Sequence, residues 1–176
     1  DKQKDILRKV RLATILGTFQ ASLTNLRRLR KKWTINTEEE ALLGVSLTGI
    51  MDNSFMNGSF RDRGTSEWHG NLSLPDFLIK LKKESVKINK EWSESLGINP
   101  STSITAIKPS GTVSQLVNSA SGIHPRHNDY YLRRVRADVK DPIAQLMKDE
   151  GVPCEPDVTK PDSVEVFTFP MKAPEG

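Results

Sequence analysis

A β-favouring run, Ser103 to Ile107, passes without a spacer into Lys108-Pro109-Ser110-Gly111-Thr112-Val113-Ser114 and then into the helix-like stretch Gln115 to Ser119. Strand, tight turn and helix in such close succession belong to folds that layer helices on a sheet. The rest of the chain repeats the alternation. Between Asp5 and Trp33, Leu12, Ile15, Phe19, Leu23 and Leu26 recur at spacings of three and four, widened by Ile6, Val10 and Leu16, which predicts one long buried helix. Thr34 to Glu40 reads as a polar break. Ala41 to Met51, apolar and punctuated by Gly44 and Gly49, reads as a strand buried on both faces, and Asn53 to Asn71 as a loop or short turns.

Ser73 and Pro75 supply a cap and a first-turn proline for a helix that carries Phe77, Leu78, Leu81, Val86, Ile88 and Trp92 as far as Leu96, with Gly97 as its stop. Tyr130 to Arg136 predicts a strand, Pro142 to Glu150 a short helix closed by Gly151, and Val164 to Phe169 a last strand. The expected class is α/β with a parallel sheet.

With 176 residues, 36% hydrophobic and 27% charged, the chain is long enough for one sizeable core. No apolar run approaches the ~18 residues of a membrane span. The single cysteine, Cys154, excludes an internal disulfide or a multi-cysteine metal cluster and suits a reducing compartment, so the expected location is the cytoplasm. A start at Asp1 and a stop at Gly176 are expected of a segment of a longer polypeptide. The net charge is +4. Arg27, Arg28, Arg30, Lys31 and Lys32 cluster where the helical pattern ends, a place that favours cations through the helix dipole and needs no ligand to explain it.

The turn Pro109 to Ser114 carries the clearest chemistry. Free backbone N–H groups at a helix start attract anions, Gly111 allows close approach, and the hydroxyls of Ser110, Thr112 and Ser114 are expected to converge there on phosphate oxygens. A plain N-cap role for Ser110 accounts for the same residues. No Gly-x-x-x-x-Gly-Lys-Ser/Thr motif occurs, so ATP hydrolysis is not implied. The loop Ser121-Gly122-Ile123-His124-Pro125-Arg126-His127 adds two imidazoles and a guanidinium, and two histidines three apart with no nearby third ligand are a weak signal for zinc. Cys154 lacks a basic neighbour in sequence and reads as structural, and Glu38, Glu39 and Glu40 as a solvated turn.

These residues, taken in order, carry a resemblance. The run Arg11-Leu12-Ala13-Thr14-Ile15-Leu16-Gly17-Thr18-Phe19-Gln20, then Leu43 to Ile50, Ile107 to Ser114, Ser121 to Arg126 and Tyr130 to Arg136 resemble class II ribonucleotide reductases in identity and spacing. The likeness is strongest to the monomeric adenosylcobalamin-dependent ribonucleoside-triphosphate reductases and covers essentially all 176 residues. It implies a ten-stranded α/β barrel of which residues 1–176 are part, with adenosylcobalamin as cofactor and reduction of the substrate by a cobalamin-generated, cysteine-borne thiyl radical. It further implies a ribonucleoside triphosphate substrate, a dNTP allosteric effector and a thioredoxin-type reductant, with no direct DNA or RNA partner.

The resemblance assigns Pro109, Ser110, Gly111, Thr112 and Ser114 to the substrate phosphates, and His124, Pro125 and Arg126 to the part facing cobalamin. It assigns no catalytic residue and no metal ligand to this chain. The Asn-x-Cys-x-Glu finger that bears the radical cysteine in the family has no counterpart in residues 1–176, and Cys154 stands in a different context from the reducing cysteines. Two other readings compete. One is a class I ribonucleoside-diphosphate reductase large subunit, against which the Gly122-Ile123-His124-Pro125-Arg126 form of the loop speaks. The other is a non-catalytic phosphate- or nucleic-acid-binding module, which the basic cluster allows but the few interleaved aromatics do not support.

Overall fold

The computed structural model describes residues 3–59 and 72–173; most of the expected loop from Asn53 to Asn71 lies outside them. Eight elements follow in order: α1 (Gln3–Ala21), α2 (Lys31–Glu40), α3 (Leu74–Leu96), α4 (Val113–Leu116), β1 (Tyr130–Asp138), α5 (Pro142–Asp149), β2 (Cys154–Pro156) and β3 (Val164–Lys172). The chain divides into two compact units, Asp1–Pro125 and Arg126–Gly176.

In the first unit α1 packs on α3. Ile6 and Val10 of α1 meet Phe77 and Leu81 of α3, and Leu47, Phe55 and Met56 close over them. Further along, the seam turns polar. Thr14 and Thr18 are fully buried, each hydroxyl donating to the carbonyl four residues back, on Val10 and Thr14, at 2.8 Å. That internal bond removes the penalty for burying a hydroxyl. Asn89 of α3 completes the seam: its amide donates to the Thr18 and Ser101 hydroxyls, and its carbonyl accepts from the Ser101 N–H.

This geometry corrects the expected helix. Leu12, Leu16 and Leu23 are 49%, 69% and 74% exposed, because the face that self-satisfied threonines allow to pack is the one α1 buries. The single helix to Trp33 is also two. Ser22 turns its backbone N–H and hydroxyl onto the Phe19 carbonyl, a local bond that competes with helix propagation, and α1 stops at Ala21. The chain restarts as α2 through the stretch expected to be a polar break. Lys31 and Lys32 therefore open a helix and Glu38 to Glu40 close one, against the dipole preference at both ends. Arg27, Arg28 and Arg30 thus lie in the connection between the two helices, and Lys31 and Lys32 in the first turn of α2, rather than at a helix C-terminus.

α3 matches its sequence signals. The Ser73 hydroxyl accepts from the Asp76 N–H, Pro75 occupies the first turn, and Gly97 closes the helix at φ 68°. The stretch from Ala41 to Met51 is no doubly buried strand: it opens on Ala41, the left-handed C-cap of α2, and turns from Gly49, at φ 71°, to Met51. It makes one parallel bridge, Val45 to Thr105, with Leu43 N–H on the Ser103 carbonyl and Ala106 N–H on that of Val45. A parallel strand is buried on both faces only inside a larger sheet, and one neighbour leaves Leu42 56% exposed.

The second unit is a three-stranded sheet in the order β1-β3-β2, and both pairings are antiparallel. The parallel expectation fails here because α5 returns the chain to the short edge strand β2, which then doubles back on β3. Phe167 of the central strand is fully buried between Val135 and Cys154. Asp141 caps α5 through the Ile143 N–H, and Gly151 ends it at φ 77°.

Asp157 ties the end of β2 to β1. It is buried, and its carboxylate accepts from the Thr159 hydroxyl and N–H, the Lys160 N–H and the Arg136 guanidinium. The Thr159 hydroxyl first, and Arg136 next, hold its pKa far below the ordinary value of 3.8. A depressed carboxylate stabilises the fold fully above its unfolded pKa and loses that contribution as pH falls through the folded one. Urea midpoints measured from neutral pH downward are therefore expected to decline below about pH 4. Asp157→Asn should lower the neutral midpoint and flatten the decline; a variant with the wild-type acid profile would refute this role.

Candidate functional site

Ile107 and Lys108 lead, extended and exposed, into the turn Pro109 to Thr112. Nothing lies within 4 Å of the position a Gly111 Cβ would take, so the backbone there is open to a ligand. The expected helix from Gln115 to Ser119 is a single turn, Val113–Leu116, too short to build a macrodipole, and the chain leaves it through Asn118 at φ 46°. Thr112 is its N-cap residue and makes no side-chain capping bond. The plain cap reading of Ser110 therefore fails, since its hydroxyl is engaged elsewhere.

That engagement organises the site. Ser110 Oγ lies 2.7 Å from Thr48 Oγ1, contributed by the apolar stretch after Val45. Thr48 also donates to the Ala120 carbonyl at 2.9 Å and accepts from the Gly122 N–H at 3.2 Å. The Ser110 carbonyl accepts from the Ser114 and Ser121 hydroxyls at 3.0 and 2.8 Å. Asp52 adds a brace by accepting from the Ala120 N–H at 2.6 Å. Three segments distant in sequence are thus laced together beneath an exposed turn.

The expected convergence of three hydroxyls does not occur. Ser114 is fully buried and its hydroxyl closes the turn from within, while Thr112 and Gly111 are exposed and Ser110 is half-buried. Sequence reasoning missed Thr48 and Asp52 as supports of the turn, and saw Ser121 only as the start of the histidine-bearing loop. A hydroxyl amid Leu47, Gly49 and Ile50 was the available signal, because a polar group in an apolar run needs a partner. Gly122 was legible only as a loop glycine. Its φ is 56°, and a Cβ would come within 3.0 Å of the Lys108 carbonyl oxygen and 3.2 Å of Pro109 Cα.

His124 is exposed on a turn closed by its N–H on the Ser121 carbonyl, beside Ile123, itself 53% exposed, and exposed Pro125. Arg126 opens the second unit, where His127 meets Tyr131 edge-on at 6.3 Å. Cys154 is half-buried on the edge strand of that unit. Among the described residues no helix is long and apolar enough to cross a membrane.

No family model matches the chain. Among curated proteins, an adenosylcobalamin-dependent ribonucleoside-triphosphate reductase of Lactobacillus delbrueckii subsp. bulgaricus is 30% identical over 158 residues, 80% of this chain and 21% of the relative. The reductase of the same description from Levilactobacillus brevis is 38% identical over 146 residues, 74% of this chain and 19% of the relative. The chain thus spans about a fifth of the length of the curated relatives it matches. Among solved structures, a B12-dependent class II ribonucleotide reductase superposes with a TM-score of 0.56 at 26% identity, covering 76% of this chain and 20% of that one.

Proposed function

We propose, from the premise that this chain belongs to the class II ribonucleotide reductases, that the polypeptide carrying it reduces ribonucleoside triphosphates to 2'-deoxyribonucleoside triphosphates with adenosylcobalamin as cofactor. In this reading residues 1–176 are part of one catalytic domain, a ten-stranded α/β barrel, and their task is to hold the triphosphate. The observation that carries it is the exposed turn Pro109 to Thr112, open at Gly111 and tied down from beneath through Ser110. The backbone N–H groups of Ser110, Gly111 and Thr112 and the Ser110 and Thr112 hydroxyls meet the phosphates, and Pro109, which has no N–H to donate, fixes the backbone entering the turn. Ser114 serves by shaping the turn.

His124 and Pro125, followed in sequence by Arg126, we assign to the cobalamin. The segment fits such a group: an imidazole stands beside the exposed apolar surface of Ile123, a pairing suited to a corrin fringed with amides. When bound, the cofactor supplies a weak cobalt–carbon bond that starts radical chemistry. Cytoplasmic location, a dNTP effector and a thioredoxin-type dithiol belong to the same proposal.

The test is Ser110→Ala with Thr112→Val in the full-length reductase. Two charge-assisted hydrogen bonds at about 1.5–3 kcal/mol each set an upper limit of about 3–6 kcal/mol, reduced wherever water substitutes. Substrate KM should rise, with backbone contacts preserving some binding, while effector-triggered cleavage of the cobalt–carbon bond changes much less. Unchanged substrate affinity at the same ionic strength would overturn the assignment.

A further inference from the structure

The hydrogen-bond directions around Thr48 follow from which neighbours can only accept. A hydroxyl has one proton and two acceptor sites. The Ala120 carbonyl can only accept, so the Thr48 proton points to it. The Gly122 N–H can only donate, so it takes one lone pair of Thr48. The remaining contact, Ser110 Oγ at 2.7 Å, is then a bond in which Ser110 donates. In this arrangement the Ser110 proton faces Thr48 and cannot serve an arriving anion.

The arrangement can reverse without orphaning a group. The Ala120 carbonyl also accepts from the Gly49 N–H at 2.7 Å, so it stays satisfied when Thr48 turns away. Gly122 goes on donating to Thr48 Oγ1 in either state. We propose that Thr48 is a positioning residue for phosphate capture: its hydroxyl swings from Ala120 to Ser110, and the Ser110 proton is thereby delivered to a phosphate oxygen. This rests on the Pro109 to Ser114 turn being the substrate-phosphate loop. The two hydroxyl bonds present before the switch are replaced by two after it, the second of them charge-assisted. The chain from Thr48 through Ser110 to the anion also polarises the final donor, strengthening it.

The test is the affinity of the full-length reductase that carries this chain for inorganic tripolyphosphate, measured by calorimetry at fixed ionic strength. Ser110→Ala should weaken binding, and Thr48→Val should weaken it about three- to tenfold, the loss expected when a donor is no longer oriented. Thr48→Ser, which keeps the hydroxyl, should stay within about twofold of wild type. In a double-mutant cycle Thr48→Val should add less than about twofold once Ser110 is alanine, because the relay has lost its second member. Thr48→Cys, a weak donor of similar size, makes the same comparison should the valine variant not fold.

Three results overturn the proposal. If Thr48→Val binds like wild type while Ser110→Ala weakens binding, the relay is wrong and the phosphate loop stands. If the Thr48→Val loss is equal in both backgrounds, Thr48 only braces the loop at Ala120 and Gly122. If the wild-type reductase binds no tripolyphosphate, or binding ignores both Ser110→Ala and Thr112→Val, the loop assignment falls and the relay with it.

Discussion

Supplied with adenosylcobalamin, a ribonucleoside triphosphate and a dithiol, the 176-residue chain is expected to form no deoxynucleotide. Replacing a ribose 2'-hydroxyl by hydrogen takes two electrons from outside the sugar. The resemblance implies that in this family a radical cysteine opens the reaction and a separate cysteine pair supplies those two electrons to the substrate. This chain holds one cysteine. Cys154 sits half-buried on the edge strand β2, paired in register with Phe167, and neither the finger motif nor a second thiol accompanies it. A dithiol in solution can replace an external reductant, but it cannot replace a radical-bearing side chain placed at the substrate. The assay is chromatographic detection of deoxynucleotide against a cofactor-only control. Product above that control would mean that the radical forms on a residue given no catalytic role here.

A chain with a binding turn and no radical chemistry has its functional content in the geometry of that turn, and this geometry was only partly legible in sequence. Helices whose signals are local were legible: Ser73, Pro75 and Gly97 bound α3, and Pro142 and Gly151 bracket α5. The break after Ala21 was not, because Leu23 and Leu26 keep the apolar spacing through a segment where Ser22 diverts the backbone. Sheet direction was hidden too, since a strand's own residues do not name their partner. For the site, the turn itself showed in sequence, but its support comes from Thr48, 62 residues upstream of Ser110, and no local pattern encodes that pairing. Ser114 illustrates the opposite error: spacing placed it with the other hydroxyls, while burial turned it inward.

Gly122→Val is expected to produce the largest loss of stability of any substitution in the site. Two costs combine. Gly122 holds φ at 56°, where a side chain collides with its own backbone at about 1–2 kcal/mol, and a β-branched residue fares worst. The new Cβ also meets the Lys108 carbonyl oxygen at 3.0 Å and Pro109 Cα at 3.2 Å, main-chain atoms that cannot rotate away as a side chain would. Overpacking of this kind adds about 1–3 kcal/mol, for a total of about 2–5 kcal/mol. Relief requires the Lys108–Pro109 backbone to separate from Gly122, which breaks the Gly122 N–H bond to Thr48 and displaces Ser110. Urea denaturation should show the loss, and tripolyphosphate affinity should fall with it. Gly111→Ala is the contrast, because that glycine has an ordinary φ and open space around its Cβ position, so stability should change by less than about 1 kcal/mol. Equal stability of the two variants would show that Gly122 is not the point on which the turn closes.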